Sequence, residues 1–264
     1  MASPAHSAPL TRVAVIGVTG RMGQALLRSA PLFPQLIVTG AVASAASLAL
    51  GRDAGEVAGI GATNLIVTSD LPRALNEADV ALDFSDAAAT RANLAACRAA
   101  HKPLLIGTTG HEAGLEAEFE AALTASAREI AVLVAPNTSI AVALLEKLVR
   151  ASARALPASF DIDIVELHHR GKRDAPSGTA LALQAAAAAG RPGGQIGIAS
   201  LRAGDGAGEH SVLFSGPGEQ LALRHRAGDR AIFARGALTA ALWLASRPPG
   251  RYTMQDFIVD KTLP

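Results

Sequence analysis

Residues 166–180 run Glu-Leu-His-His-Arg-Gly-Lys-Arg-Asp-Ala-Pro-Ser-Gly-Thr-Ala, so two imidazoles and five permanent charges crowd into fifteen positions of an otherwise apolar, alanine-rich chain. An acid and an imidazole ending a strand, a cationic loop, and Ser-Gly-Thr opening a helix together offer a proton donor, fixed positive charge and free backbone N–H groups. That set suits an anionic substrate that has to be protonated.

Successive side chains on a strand point to opposite faces, so only one of His168 and His169 faces a given pocket wall unless the strand breaks; Gly171 is the residue that permits a break. Hydride reduction of a C=C or C=N bond leaves negative charge that a proton must quench, and histidine suits that task near neutral pH. Lys172 sits one residue past the glycine. Ser177, Gly178 and Thr179 then present a helix N-terminus that can take a carboxylate, with glycine allowing close approach; Ser177 reads equally as an ordinary helix cap. No metal site is expected, because no third ligand lies at sensible spacing and Lys172 would repel a cation.

A second constellation lies near the N-terminus, where Gly17-Val18-Thr19-Gly20-Arg21-Met22-Gly23 follows an apolar run and leads into a helical pattern. Strand, glycine turn and helix in that order hold a pyrophosphate on backbone N–H groups and the helix dipole. Ligands in such folds gather at the carboxyl ends of the strands. Three further ends carry turn residues: Asp83-Phe-Ser85, Gly107-Thr-Thr-Gly110 and Ala135-Pro-Asn-Thr138. Each alone reads as a helix cap; together they line a crevice. Gly107, Thr108 and Thr109 are expected at a nicotinamide ribose, and Ala135, Pro136, Asn137 and Thr138 at the nicotinamide amide. The acid that normally grips the adenine-ribose hydroxyls is missing from the turn at 40–47, which leaves NADH and NADPH both open as cofactor. Arg21 is either a cation for a 2′-phosphate or an ordinary surface arginine.

These residues need a scaffold. From 13 to about 156, short apolar runs at 13–17, 36–39, 65–67, 80–83, 104–106 and 130–134 alternate with helical patterns at 22–30, 71–77, 87–100, 112–127 and 139–155. Right-handed crossovers make that a doubly wound parallel sheet, an α/β fold of Rossmann type. Past 157 the texture changes to a half-buried strand at 160–168, a helix at 177–189 and strands at 196–203, 208–215 and 219–227, a mostly antiparallel sheet in an α+β domain. A last helix at 231–245 and the apolar end at 252–260 are expected to return to the first domain. The division is therefore 11–137 with 231–264 for the dinucleotide, and 138–230 for substrate binding and oligomerisation.

At 264 residues, half of them hydrophobic, the chain has material for two modest domains. Its net charge of +1 provides no field to draw nucleic acid or an anionic membrane. The lone Cys97 excludes an internal disulfide and reads as a buried apolar residue. The first eleven residues lack the basic start and apolar run of a secretory leader and read as a frayed tail, and no run nears the ~18 apolar residues of a membrane helix. A soluble cytoplasmic protein is expected.

The sequence resembles the dihydrodipicolinate reductase family nearly end to end. The resemblance is carried by the glycine turn, Asp83-Phe-Ser85, Gly107-Thr-Thr-Gly110, Glu166-Leu-His-His-Arg-Gly-Lys172, Asp174-Ala-Pro-Ser-Gly-Thr-Ala180, Gly208-Glu-His210 and 237–243. It implies NAD(P)H-dependent reduction of 4-hydroxy-tetrahydrodipicolinate to tetrahydrodipicolinate, with loss of water, in the diaminopimelate route to lysine, by a homotetramer built on second-domain sheets. It also implies His168 and Lys172 as catalytic residues, and His169, Gly178 and Thr179 against a small cyclic dicarboxylate. The chain departs from the family pattern at Ala43 and Ser44, where an acid and a base are common. It departs again at Asn137-Thr-Ser-Ile-Ala-Val142, where Thr138 replaces an aromatic residue and Ala141 is expected to stiffen a hinge. On the residues alone, a reductase of another small imine or keto acid, and a nucleotide-sensing regulator, stay open.

Overall fold

The structure is a computed structural model, which describes residues 9–110 and 116–261. Residues 1–8 of the frayed tail expected at 1–11, the helical start at 112–115 and the last three residues lie outside that range; Thr11, also read as tail, is the first residue of a strand. The chain divides into two units, residues 1–138 with 233–257, and residues 139–232 with 258–264.

The first unit begins with β1 (Thr11–Ile16), whose last four residues are buried, and α1 (Arg21–Ser29). β2 (Leu36–Val42) follows, then the short α2 (Ala54–Ala58), α3 (Leu71–Asn76), β3 (Val80–Asp83), α4 (Ala87–Ala99), β4 (Leu104–Ile106), α5 (Glu116–Ser126) and β5 (Ala131–Val134). Side-chain oxygens of Asp53, Asp70 and Asp86 cap α2, α3 and α4. The strands are continuous apolar runs because helices cover both faces of a parallel sheet. Their core holds Ile16, Leu75, Leu94, Leu104, Ile106, Leu123 and Val132.

The second unit contains α6 (Ile140–Ala155), β6 (Asp161–His168), α7 (Gly178–Gly190), β7 (Ile196–Arg202), β8 (Glu209–Gly216) and β9 (Glu219–Arg226). Its sheet order is β7-β6-β8-β9, with β6–β7 parallel and the other two pairs antiparallel. One face packs Ile162, Ile164, Val212 and Phe214 against Leu145 and Val149 of α6 and Leu183 and Ala187 of α7. The other face carries rows such as Leu201–Leu167–Glu209–Arg226 and Ala199–Val165–Ser211–Arg224, with Leu201 54% and Leu167 36% exposed.

The chain then forms α8 (Ala231–Leu244), β10 (Gly250–Tyr252) and α9 (Met254–Lys261). β10 pairs with β5 and makes the first sheet six-stranded and wholly parallel, in the order β10-β5-β4-β3-β1-β2. Trp243, Tyr252 and Phe257 stack edge to face behind it, with centroids 5.4 and 5.6 Å apart.

Two expectations about strands are corrected. Residues 65–67 form no strand, only the isolated bridges Val42↔Thr68 and Asp53↔Ile66. The stretch is tied instead to the loop before α2, by Ala54 N–H to Leu65 O at 2.7 Å, Val67 N–H to Arg52 O at 2.9 Å and Gly51 N–H to Val67 O at 2.9 Å. The three-residue β10 was missed, since so short a run beside two prolines carries no period to read.

Candidate functional site

In the first unit the strand order reverses at β1, so the carboxyl ends of β1 and β3 flank a crevice. Gly17, at φ +83°, lies so close to the Phe84 carbonyl that any Cβ would overlap it. A Cβ on Gly23 would likewise overlap the backbone of Gly17 and Val18, so both glycines are there for close approach. The turn is tied by Gly20 N–H to Gly17 O at 3.0 Å and by Gly17 and Val18 N–H to Val42 O at 2.9 and 3.0 Å. Gln24 Nε2 holds the Thr19 carbonyl at 3.0 Å. α1 opens at Gly20 with no side-chain cap and no acid in its first turn, leaving the N–H groups of Arg21 and Met22 to an anion. Arg21 is exposed at this end of the helix.

Beside it the fully buried Asp83 carboxylate organises the next two turns. It accepts Ser85 N–H at 3.0 Å, Ser85 Oγ at 2.5 Å, Thr108 Oγ1 at 3.2 Å and Asn93 Nδ2 at 3.1 Å. Gly107 N–H bonds to Asp83 O at 2.9 Å, and the Phe84 ring fills the place of a Gly107 side chain. Thr108 is thereby buried and committed to Asp83, whereas Thr109 is exposed at the rim. Asn93 was missed because a polar residue inside an alanine-rich helix gives no sign of which way it faces.

At the end of β5, Ala135 is buried with its N–H on Ile106 O at 2.9 Å, Pro136 is exposed and Asn137 half-buried. Thr138 differs from expectation: it is 2% exposed and its hydroxyl donates to Phe233 O at 2.7 Å, so its side chain ties two segments of this unit together. After β2, Ala43 is buried while Ser44 and Ala45 are exposed; no acid or base stands at the ribose position.

In the second unit the alternation of β6 puts Glu166 and His168 on the buried face, 0% and 8% exposed, and His169 on the turn beyond, half-buried. Register places Glu166 opposite His210 and His168 opposite Arg202. Glu166 Oε1 accepts Arg202 Nη2 at 2.7 Å and Ser177 N–H at 3.3 Å, while Oε2 meets His168 Nδ1. The rings of His168 and His210 stand edge to face, 5.0 Å apart.

Ser177 is the N-cap of α7, its Oγ accepting Ala180 N–H at 3.2 Å and lying 3.0 Å from His210 Nε2. At 2% exposure its hydroxyl is committed inside the unit, unlike the substrate contact expected of it. Gly178 is exposed with open space where a side chain would be, and Thr179 is half-buried beside it. Lys172 pairs with Asp174 at 2.8 Å, and Arg202 Nη2 also donates to Asp174 O at 2.6 Å, pinning the loop. His169, Arg170, Gly204, Asp205 and Arg230 surround an open cavity of about 610 Å³.

Charge follows from this packing. Burial alone would raise the Glu166 carboxyl, but hydrogen bonds from Arg202 and Ser200 and the charges of His168 and Arg202 outweigh it and hold it at about 2. Burial pushes His168 down; Glu166 opposes, and Lys172 and Arg202 push down further. Burial takes His210 to about 4, with His168, His225 and Lys172 acting the same way against Glu166. The sequence expectation that no third metal ligand exists is corrected in one respect: β8 brings His210 into a cluster with Glu166 and His168. The donor set nonetheless fits a cation poorly, since its single carboxylate already neutralises Arg202 and Lys172 acts on both imidazoles.

A doubly wound sheet with an anion-binding glycine turn in one unit, and a buried acid–imidazole pair beside a lysine and a helix N-terminus in the other, define a two-domain nicotinamide-dependent oxidoreductase. Residues 11–138 match the family model for the dihydrodipicolinate reductase N-terminus, and residues 141–258 match that for its C-terminus. The chain belongs to the dihydrodipicolinate reductase family.

Among its relatives, 4-hydroxy-tetrahydrodipicolinate reductase of Alkalilimnicola ehrlichii is 46% identical, covering 94% of this chain and 98% of the relative. The enzyme of the same name from Anaeromyxobacter dehalogenans is 42% identical with the same coverage. Among solved structures, a dipicolinate-bound dihydrodipicolinate reductase from Paenisporosarcina sp. TG-14 aligns with a TM-score of 0.74 at 24% identity, over 92% of this chain and 97% of that one. A probable dehydrogenase from Thermotoga maritima aligns with a TM-score of 0.62 at 12% identity, over 94% and 92%. At those identities the structural likeness speaks for the fold.

Proposed function

We propose that this chain is a 4-hydroxy-tetrahydrodipicolinate reductase that converts 4-hydroxy-tetrahydrodipicolinate, NADH or NADPH and a proton into tetrahydrodipicolinate, oxidised coenzyme and water. The step belongs to diaminopimelate and lysine biosynthesis, in the cytoplasm. The observation that carries the reading is the β6 end, where His168, Lys172 and the α7 N-terminus sit on one unit of a chain 46% identical to an enzyme of that name.

A reduced nicotinamide coenzyme supplies hydride to the substrate ring. The Gly17–Met22 turn holds the pyrophosphate on backbone N–H groups, and the 107–109 and 135–137 turns hold the nicotinamide half. His168 delivers the proton, Lys172 offsets substrate charge, and His169 with Gly178 and Thr179 takes the two carboxylates. Arg170 and Arg230, sharing the cavity with His169, add positive field for a dianion. With neither acid nor base at Ala43 and Ser44, neither coenzyme is rejected there. The exposed Leu167, Ala199 and Leu201 of the second sheet support a homotetramer joined through β6 and β7.

Steady-state turnover of the cyclic substrate, measured with both coenzymes and against open-chain keto acids, tests the reading. Turnover of the cyclic dicarboxylate alone is the expected result. Equal or better rates on open-chain keto acids would overturn it.

A further inference from the structure

We propose that Glu166 is a positioning residue for His168: it holds the imidazole as its Nδ1–H form and leaves Nε2 as the nitrogen that gives up the proton. This deepens the reading above and rests on His168 being the proton donor. Glu166 is fully buried, and its two oxygens have separate duties. Oε1 is engaged by Arg202 and the Ser177 N–H, which fixes the plane of the carboxylate. Oε2 stands against His168 Nδ1 in a close ion-pair contact, and both atoms are buried with no hydrogen-bond partner among the described residues. A carboxylate accepts but does not donate, so the hydrogen shared by this pair resides on Nδ1.

The opposite edge of the ring lies beside the backbone of Gly208. A Cβ added to Gly208 would stand 2.7 Å from His168 Nε2, at a φ of +138° that L side chains rarely adopt. Glycine at 208 thus spares Nε2 the clash that a side chain would bring, while Glu166 occupies the Nδ1 edge. The remaining groups facing the ring are cationic or neutral: Lys172 from the loop, Arg202 on β7 and His210 on β8, with His225 behind His210 on β9. Among these described groups, Glu166 alone favours a proton on His168. Arg202, tied both to Glu166 and to the Asp174 carbonyl, couples the carboxylate to the loop that carries Lys172.

The test compares Glu166→Gln, Glu166→Asp, His168→Gln and the double variant Glu166→Gln/His168→Gln in the full-length enzyme. Glu166→Gln is expected to cut kcat/KM at least tenfold at pH 8 and much less once the pH is below the parent's own lowered limb, because the alkaline limb of its rate profile moves to lower pH. Glu166→Asp should restore part of the limb. NAD(P)H affinity should stay within twofold of the parent throughout. In the His168→Gln background the Glu166 change should cost nothing further, since it acts through the ring. Imidazole ¹⁵N spectra of the parent should show His168 protonated on Nδ1 at neutral pH, and those of Glu166→Gln a shift toward the other tautomer. An unmoved pH limb, additive losses, or an Nε2–H parent tautomer would overturn the proposal. If His168→Gln itself retains full turnover, the proton-donor reading fails instead, and the two failures are distinct.

Discussion

Burial, Lys172 and Arg202 all disfavour a proton on His168 and Glu166 favours it, so the proton that we propose His168 donates is held below the ordinary histidine range. We expect kcat/KM to fall as pH rises through that lowered value, since it reports the free-enzyme acid; a profile flat across the histidine range would contradict this. Stability responds in the opposite direction. Glu166 at about 2 and His210 at about 4 both lie below their unfolded values of 4.5 and 6.5. The stability they contribute is complete above the unfolded values and is lost as pH falls, through about 6.5 to 4 for His210 and 4.5 to 2 for Glu166. Thermal melts are therefore expected to show a lower Tm at pH 4 than at pH 7, with part of the loss above pH 4.5 removed by His210→Asn once that variant's own cost is set as baseline; the lowered His168 and His225 keep the rest. His168, His169 and Lys172 were legible as chemistry because they share one segment. Arg202 and His210 were not, because only strand pairing brings β7 and β8 beside Glu166.

At the scale of elements, backbone approach is what the glycines of the first unit provide. Gly23→Ala forces a Cβ into the Gly17–Val18 backbone, which has nowhere to move, so α1 must lift from β1 and the anion cradle with it. A loss of NAD(P)H affinity of at least tenfold is expected by calorimetry, and an unchanged Kd would show that the turn is not the cofactor cradle. Gly107→Ala meets a side chain, the Phe84 ring, so Phe84→Ala/Gly107→Ala should recover part of the affinity that Gly107→Ala loses. The βα alternation was readable because continuous apolar runs and helical periods are each several residues long. The Asp83 hub was not, because its partners Ser85, Asn93 and Thr108 come from three elements and each reads alone as a cap or a helix residue.

At the scale of the molecule, the second sheet has helices on one face and exposed Leu167, Ala199 and Leu201 on the other. Burying such a face between copies stabilises an oligomer by about 25 cal/mol per Å² of apolar surface covered. Leu201→Glu places a charge on the β7 edge of that face and is expected to convert the proposed tetramer to smaller species in sedimentation velocity; an unchanged sedimentation coefficient would place the interface elsewhere. The change of texture near residue 157, where continuous runs give way to alternation, marks the passage from one sheet to the other, whereas the two units part earlier, at 138/139, because α6 packs with the second sheet. The short β10 that extends the first sheet was not, since its position depends on a chain that returns after the whole second unit.

The central claim is that His168 gives the substrate its proton while the first unit independently holds the coenzyme, and one measurement addresses it most directly. His168→Gln, assayed beside the parent enzyme for turnover of the cyclic substrate and for NAD(P)H binding, should lose roughly 10²-fold or more in kcat, the scale of general-acid catalysis, with Kd for the coenzyme within twofold. Full turnover in the variant, or parallel loss of turnover and coenzyme binding, would contradict the account.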